Sequence, residues 1–225
     1  EALSAIPGTV GAAPVQNVGA YGQEIVQVLD SVLAYDLKEE KYVTIKKEDM
    51  KLGYRSSIFN HGEDAGRYLI ISMTIHLSHD TLTPPFYTSL QNYVEEHQIT
   101  DFSPKSIREM VTEIRWSKLP KPEEMASSGS FFKNVYLDDA EADRLRGMNV
   151  PVWEGNKVPS GWLIDHAGLK GMVFHGMRVS EKAALILINE SAQSYAHLKQ
   201  AREEIVSIIE KKYGLTLQQE PVELE

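Results

Sequence analysis

The segment Ile6 to Gly22, IPGTVGAAPVQNVGAYG, makes a poor helix and a poor strand. Its glycines and prolines interrupt every run long enough to propagate either, because glycine disfavours both and proline removes a donor. It reads as a loop whose backbone can approach a ligand closely. Successive N–H groups in such a loop can cradle a pyrophosphate, although by itself an ordinary turn accounts for it better.

Strand signals come first. Ile25 to Leu33 is β-branched and apolar, and Tyr42 to Ile45 is a second run after the polar turn Lys38 to Lys41. Tyr68 to Leu77 is the strongest, with Leu69, Ile71, Met73 and Ile75 predicted on one face. Ser103-Pro104 then opens a helix, and Ile107, Met110, Val111 and Ile114 form its apolar stripe. Lys118 to Ser128 is polar and proline-containing and reads as a linker. Beyond it, Asp138 or Asp139 caps a short helix through Leu145. Gly161 to Ala167 gives a helical turn or two, and Ala184 to Ile188 a buried strand. A last helix runs from Ser194 to Tyr213, burying Leu198, Ala201, Ile205, Ile208 and Ile209, with Gly214 at its stop. The fold class is α+β, without repeats.

Composition disfavours several functions. A formal net charge of -9 leaves no basic excess to neutralise a nucleic acid. There is no cysteine, which removes disulfides, thiolate metal sites and cysteine nucleophiles. No apolar run reaches membrane-spanning length, and no signal-peptide pattern opens the chain. The histidines are scattered, with no pair at ligand spacing, so no metal site is expected. The chain starts at Glu1 and stops at Val222 to Glu225, which reads as a strand just beginning; a piece of a longer protein is expected.

Two further motifs carry polar groups among aromatics. In GSFFKN, Gly129 to Asn134, a serine could be an exposed hydroxyl held by buried rings; the plainer reading is a strand start with Phe131 and Phe132 in the core. In GYRSS, Gly53 to Ser57, Arg55 sits between Tyr54 and a serine, and a solvated surface cation is the plainer reading.

Their order is more telling than any one of them. IPGTVGAAPVQNVGAYGQE, GYRSSIF, KLPKP with GSFFKN, GWLIDHAGLKG and VSEKAALILIN resemble, in the same order, the motifs of the UDP-N-acetylenolpyruvoylglucosamine reductase family, over essentially the whole chain. The insertion holding Pro85, Phe86 and Tyr87 resembles the tyrosine loop of the family's long form. The resemblance implies a partial flavin-binding domain of the PCMH/VAO type over residues 1–118. A smaller α+β substrate-binding domain would follow over 119–225. It implies a bacterial cytoplasmic enzyme of peptidoglycan precursor synthesis. Such an enzyme uses FAD, reduced by NADPH, to convert UDP-N-acetylglucosamine enolpyruvate to UDP-N-acetylmuramate.

Carried over residue by residue, the resemblance makes Arg55, Ser130 and Glu220 the catalytic set. Arginine remains charged beside the enolate that develops, and a hydroxyl protonates the substrate carbon. Glu220 comes from the pattern Leu217-Gln218-Gln219-Glu220, with Glu223 as the alternative. Ile6, Gly8, Thr9, Gly11, Ala12, Asn17, Val18, Gly19 and Arg115 are implied at the flavin. Tyr21, Tyr54, Tyr87, Lys118, Asn134 and Lys170 are implied at the substrate, with Tyr87 as a lid over the nucleotide.

Three departures stand out. Val135 and Pro221 replace the family's usual proline and valine, and Ala183 replaces a polar residue that helps bind uracil. The region that supplies about half the flavin pocket in the family lies ahead of the position corresponding to Glu1. A non-catalytic UDP-sugar-binding piece is the alternative function, and another oxidase of the same flavin-binding superfamily is a second.

Overall fold

A computed structural model describes residues 1–79 and 82–223. The chain divides into two units, Glu1–Arg115 and Trp116–Glu225.

In the first unit, β1 (Gly19–Ala20) and β2 (Gln23–Glu24) form a small antiparallel hairpin. A three-stranded antiparallel sheet comes next, in the order β4-β3-β5, from β3 (Leu29–Asp36), β4 (Lys41–Lys46) and β5 (Tyr68–Ile75). β3 is central because both its neighbours pair with it, and Val32 and Ala34 are fully buried against Ile25, Leu29, Ile45, Met50 and Phe59. The β3–β4 turn is fixed by Asp36. Its buried carboxylate accepts the N–H groups of Lys38 and Glu39 and a two-toothed bond from Arg67, at 2.9 and 2.6 Å.

Two sequence expectations change here. Ile25–Gln27 is a 3-10 turn, so β3 starts at Leu29 and runs on to Asp36. Leu69 and Ile71 do not share a face with Met73 and Ile75. The register slips opposite Leu33 and Ala34, which pair with Ser72 and Ile70 and leave Ile71 as the extra residue of a bulge. Tyr68, Ile70, Met73 and Ile75 therefore pack on the core while Leu69 and Ile71 face solvent. One inserted residue inverts the alternation.

Helix α1 (Thr88–Glu96) and helix α2 (Pro104–Lys118) complete the unit. Ile107, Met110, Val111 and Ile114 recur at helical spacing and bury against Leu90 and Val94 of α1, as the stripe predicts for α2.

The second unit holds a four-stranded antiparallel sheet in the order β6-β11-β10-β9. Its strands are β6 (Ser127–Ser130), β9 (Val173–Phe174), β10 (Met177–Val179) and β11 (Ile186–Asn189). β7 (Val135–Tyr136) and β8 (Lys157–Val158) form a separate two-stranded ladder. α3 (Asp139–Gly147) is capped by Asp138, whose carboxylate accepts the Glu141 N–H at 2.8 Å. α4 (Ser160–His166) lies where the turn or two was expected. α5 (Tyr195–Tyr213) buries Ala201, Ile205 and Ile209 and ends at Gly214 in the left-handed conformation. The buried strand expected from Ala184 begins at Ile186. The strand expected from Val222 falls partly on Leu224 and Glu225, outside the described residues.

After α5 the chain runs extended from Leu215 to Glu220 beside Phe131–Lys133. Lys133 N–H donates to the Gln218 carbonyl and Glu220 N–H to that of Phe131, both at 2.8 Å. One core serves all of this: Phe131, Phe132, Leu145, Leu163, Val179, Leu187, Ile205, Ile209, Leu215 and Leu217 are buried together.

Candidate functional site

In the first unit the glycine-rich loop is tied down from inside. Asn17 is completely buried with φ near 47°. Its Nδ2 donates to Glu24 at 2.8 Å and to the Gly53 carbonyl at 3.1 Å, and its Oδ1 accepts the Val26 N–H at 3.1 Å. Asn17 therefore binds loop to hairpin and to the GYRSS turn; its amide is engaged by the protein itself. Val18 extends this, accepting the Ile25 N–H and donating to Ala13.

Arg55 lies against the same hairpin. Its Nη2 donates to the Gly19 carbonyl at 2.9 Å, and its guanidinium stands 5.1 Å from the Tyr54 ring centroid. Arg55 itself takes φ near 52°, a conformation of order 1 kcal/mol or more above the ordinary one for a residue of this type. Gly19 permits this packing: a Cβ there would stand 2.8 Å from the Glu24 side chain and 2.9 Å from the Gln23 carbonyl. The solvated-cation reading of Arg55 fails, because the side chain is half-buried and anchored.

Earlier in the loop, Ile6 is half-buried, while Gly8 has φ of 120° and open space where a Cβ would project. Thr9 is exposed, and Val10–Ala12 form a 3-10 turn in which Gly11 rests near Ile70. The turn exposes the Val10 side chain, while Gly8 and Gly11 leave backbone uncovered beside it.

A cleft of about 500 Å³ opens between this hairpin and the two helices, lined by Tyr21, Gln23, Glu24, Phe86, Tyr87, Leu90, Ile107 and Val111 among others. Tyr21 and Tyr87 meet edge to face at 6.2 Å. Tyr87 precedes α1 and is half-exposed at 49 %. Burial pushes the Tyr21 phenol above its ordinary value, with the Arg115 charge opposing and Tyr87 adding to it. Burial also lowers the Arg115 guanidinium, against the pull of Tyr21. The structure thus brings Tyr21, Tyr87 and Arg115 into one electrostatic group.

In the second unit, Ser130 is exposed at the end of β6 and paired with Ile186 of β11. The two residues after it are almost wholly buried, their rings 5.0 Å apart and edge to face. Both readings of GSFFKN hold together: the rings are core, and they fix an exposed hydroxyl. Glu220 lies on the neighbouring segment, its N–H on the Phe131 carbonyl. The backbone therefore brings the Ser130 and Glu220 segments side by side. Glu223, the alternative carboxylate, is taken by Arg202 and by Tyr195, and these hydrogen bonds hold it below the usual carboxylate range.

Asn134 accepts the Ser160 N–H at 3.1 Å, beside the Ser160 hydroxyl bond to the Lys133 carbonyl at 2.6 Å. This seats the start of α4 on the GSFFKN strand. Lys170 pairs with Asp165 at 3.3 Å, and Lys118 is exposed at the end of α2. Val135 lies in β7 opposite Val158, while Ala183 donates to the Ser180 hydroxyl and is half-buried. The sequence offered no signal for Glu24 or Arg202, two of many charged residues, whose roles depend on which chain segment folds against them.

Among the described residues no group of three or more His, Cys, Asp or Glu side chains could hold a metal ion. No described helix is long and apolar enough to cross a membrane.

Residues 121–224 match the family described as UDP-N-acetylenolpyruvoylglucosamine reductase, C-terminal domain. A UDP-N-acetylenolpyruvoylglucosamine reductase of Bdellovibrio bacteriovorus is 34 % identical over 227 residues, covering 99 % of this chain and 67 % of the relative. The chain belongs to the UDP-N-acetylenolpyruvoylglucosamine reductase family. Members from Ralstonia nicotianae and Neisseria gonorrhoeae are 36 % and 37 % identical, over 99 % and 98 % of this chain. The chain spans about 66 % of the length of these curated relatives. The crystal structure of the reductase from Thermus caldophilus aligns with a TM-score of 0.59 at 20 % identity, over 97 % of this chain and 61 % of that one, which bears on fold alone. The α+β class of the reductase family is thus the class of this chain.

Proposed function

We propose that the protein performs the family's reduction, converting UDP-N-acetylglucosamine enolpyruvate to UDP-N-acetylmuramate with FAD, reduced by NADPH, in the bacterial cytoplasm. The observation that carries this is the 34–37 % identity to named reductases along nearly the whole chain. Within it Arg55 is anchored through its guanidinium, and Ser130 and Glu220 through paired backbone.

The residues of the loop suit a flavin. Gly8, Thr9, Gly11 and Ala12 offer backbone with little side chain in the way, which a pyrophosphate needs. Ile6 and Val18 supply apolar contact, Asn17 and Gly19 hold the loop's shape, and Arg115 supplies a partly buried cation. The 1–118 part would be the partial flavin-binding domain of the PCMH/VAO type, and 119–225 the substrate domain. Bound and reduced, the flavin supplies a hydride equivalent to the enolpyruvyl group.

The protein's own residues do the rest. Arg55 holds a permanent charge over the hairpin and stabilises the negative charge that develops on the substrate. Ser130 holds the proton delivered to the substrate carbon; a hydroxyl is a weak acid in water, so this exposed side chain acts once bound substrate has displaced the water around it. Glu220 is the carboxylate of the set. Tyr21, Tyr54 and Tyr87 line the substrate side with Tyr87 as lid, and Lys118, Asn134 and Lys170 take the diphosphate and uridine.

The test separates the half-reactions. In FAD-loaded protein, Ser130→Ala should leave flavin reduction by NADPH unchanged and slow reoxidation by substrate by roughly 100-fold or more. Equal rates for variant and parent in both halves would remove Ser130 from the mechanism. A chain that stays colourless after FAD incubation and desalting, yet binds UDP-N-acetylglucosamine, would favour the non-catalytic UDP-sugar-binding reading.

A further inference from the structure

We infer that Arg202 is a positioning residue: from α5 it clamps the segment Gln219–Glu223 and so fixes Glu220 beside the strand end that carries Ser130. This rests on the reading of Glu220 as the site's carboxylate.

The reason begins where this backbone pairing ends. A strand running alongside Phe131–Lys133 should continue to pair through its backbone, and Lys133 to Gln218 and Glu220 to Phe131 are such pairs. Glu220 is the last residue of this segment that donates its backbone N–H to that strand among the described residues. Glu220 therefore sits where backbone pairing gives out, and something else must hold the chain on its far side.

Arg202 does this. Its side chain is only 19 % exposed, and its Nη1 donates both to Oε1 of Gln219 and to Oε1 of Glu223. These acceptors flank Glu220 and Pro221, one on each side. Tyr195, two helical turns earlier on α5, also bonds Glu223, so the grip has two points on one rigid helix. Gln219 completes the loop by donating Nε2 to the Pro221 carbonyl at 2.9 Å.

Alternation gives the clamp its direction. Leu215 and Leu217 are buried in the core that includes Ile205 and Ile209 of α5. Gln219 is the next residue of that period of two, and it meets Arg202 on the same side. Glu220 steps to the other face. The two N–H groups on Nη1 lie in the fixed plane of the guanidinium and serve one acceptor each, which a freely rotating lysine ammonium does less well.

The test has a readout free of flavin. In the purified protein, Arg202→Ala should speed hydrogen exchange at the Glu220 amide by about tenfold or more, since that amide then opens locally. In FAD-loaded protein the same variant should slow substrate-driven reoxidation by about tenfold, with NADPH reduction and substrate affinity within about twofold. Arg202→Lys should recover part of the loss, and Glu223→Gln should show the same pattern more weakly. Glu220→Gln is the control. If it slows reoxidation while Arg202→Ala changes neither exchange nor rate, the clamp is wrong and the reading of Glu220 stands. If Glu220→Gln leaves reoxidation unchanged, the assignment of Glu220 fails and the positioning role fails with it. Should Arg202→Ala lose its cooperative melting transition, Glu223→Gln carries the test, and unchanged exchange and rate in that variant would overturn the clamp.

Discussion

The two units hold their candidate residues by opposite means. In Glu1–Arg115 the site-bearing chain is irregular, and polar contacts fix it: a buried Asn17 with three hydrogen bonds, and Arg55 and Tyr21 in left-handed backbone. In Trp116–Glu225 the site-bearing chain is a strand end, and Phe131 and Phe132 fix it by burial beneath an exposed Ser130. Polar anchoring gives a loop a specific shape at the cost of strain, since each buried group must be satisfied. Apolar anchoring gives position through packing density and leaves the neighbouring side chain to solvent or ligand. A charge that must sit at one place suits the first; a hydroxyl on a rigid edge suits the second.

The contrast can be broken by substitution. Phe132→Ala should have the largest effect, about 3–5 kcal/mol, because a fully buried ring leaves a cavity the core cannot close. Tryptophan fluorescence in urea measures it, because Trp153 and Trp162 lie inside the second unit, with Trp116 on α2 as the third tryptophan. A loss below about 1 kcal/mol would mean that the rings are not the anchor.

Asn17→Ala comes next, at about 2 kcal/mol, because it strands the Val26 N–H and takes one of the partners of the Gly53 carbonyl and of Glu24, which keep the Ser56 and Gln27 N–H groups. Its readout is the near-ultraviolet tyrosine circular dichroism during urea unfolding. A near-neutral result would remove polar anchoring from the comparison. Gly19→Ala should be milder, about 1–2 kcal/mol, since the Glu24 side chain can move aside but the Gln23 carbonyl only by a backbone shift. It should also loosen the Arg55 contact at Gly19, read as faster exchange of the hairpin amides.

The smallest effect at neutral pH is a titration. The hydrogen bonds from Arg67 hold the Asp36 carboxyl well below its ordinary value of 3.8. A depressed carboxylate contributes stability that is fully present above its unfolded value and is lost as pH falls through the folded one. The first unit should therefore lose melting temperature progressively as pH drops from about 5 to about 2, and Asp36→Asn should flatten that dependence. A slope unchanged in Asp36→Asn would show that other carboxylates govern the acid limb.

Much of this was legible in the sequence, element by element. The stripe of α2 was, because four apolar residues at helical spacing have one place to go. The Asp138 cap and the Gly214 stop were as well, since both depend on chemistry within one turn of chain. The inward face of β5 was not: a bulge at Ile71 is a property of pairing with β3, which no single strand records. Helix α1 passed unseen because only Leu90 and Val94 are buried on it. At the site, motif order marked Arg55, Ser130 and Glu220. It did not show that Arg55 is tied to Gly19, that Asn17 is consumed internally, or that Arg202 reaches across from α5.

The sequence by itself determined the α+β class, the irregular chain before Gly22, the start of α2, the stop of α5 and the family, because these depend on local propensity, periodicity and ordered motifs. The tertiary structure alone decided which face of β5 turns inward, which carboxylate Arg202 takes, and which side chains hold the polypeptide beyond Glu220. Those outcomes depend on contacts between residues far apart in the chain, where burial and hydrogen-bond satisfaction choose among arrangements that local chemistry leaves equal.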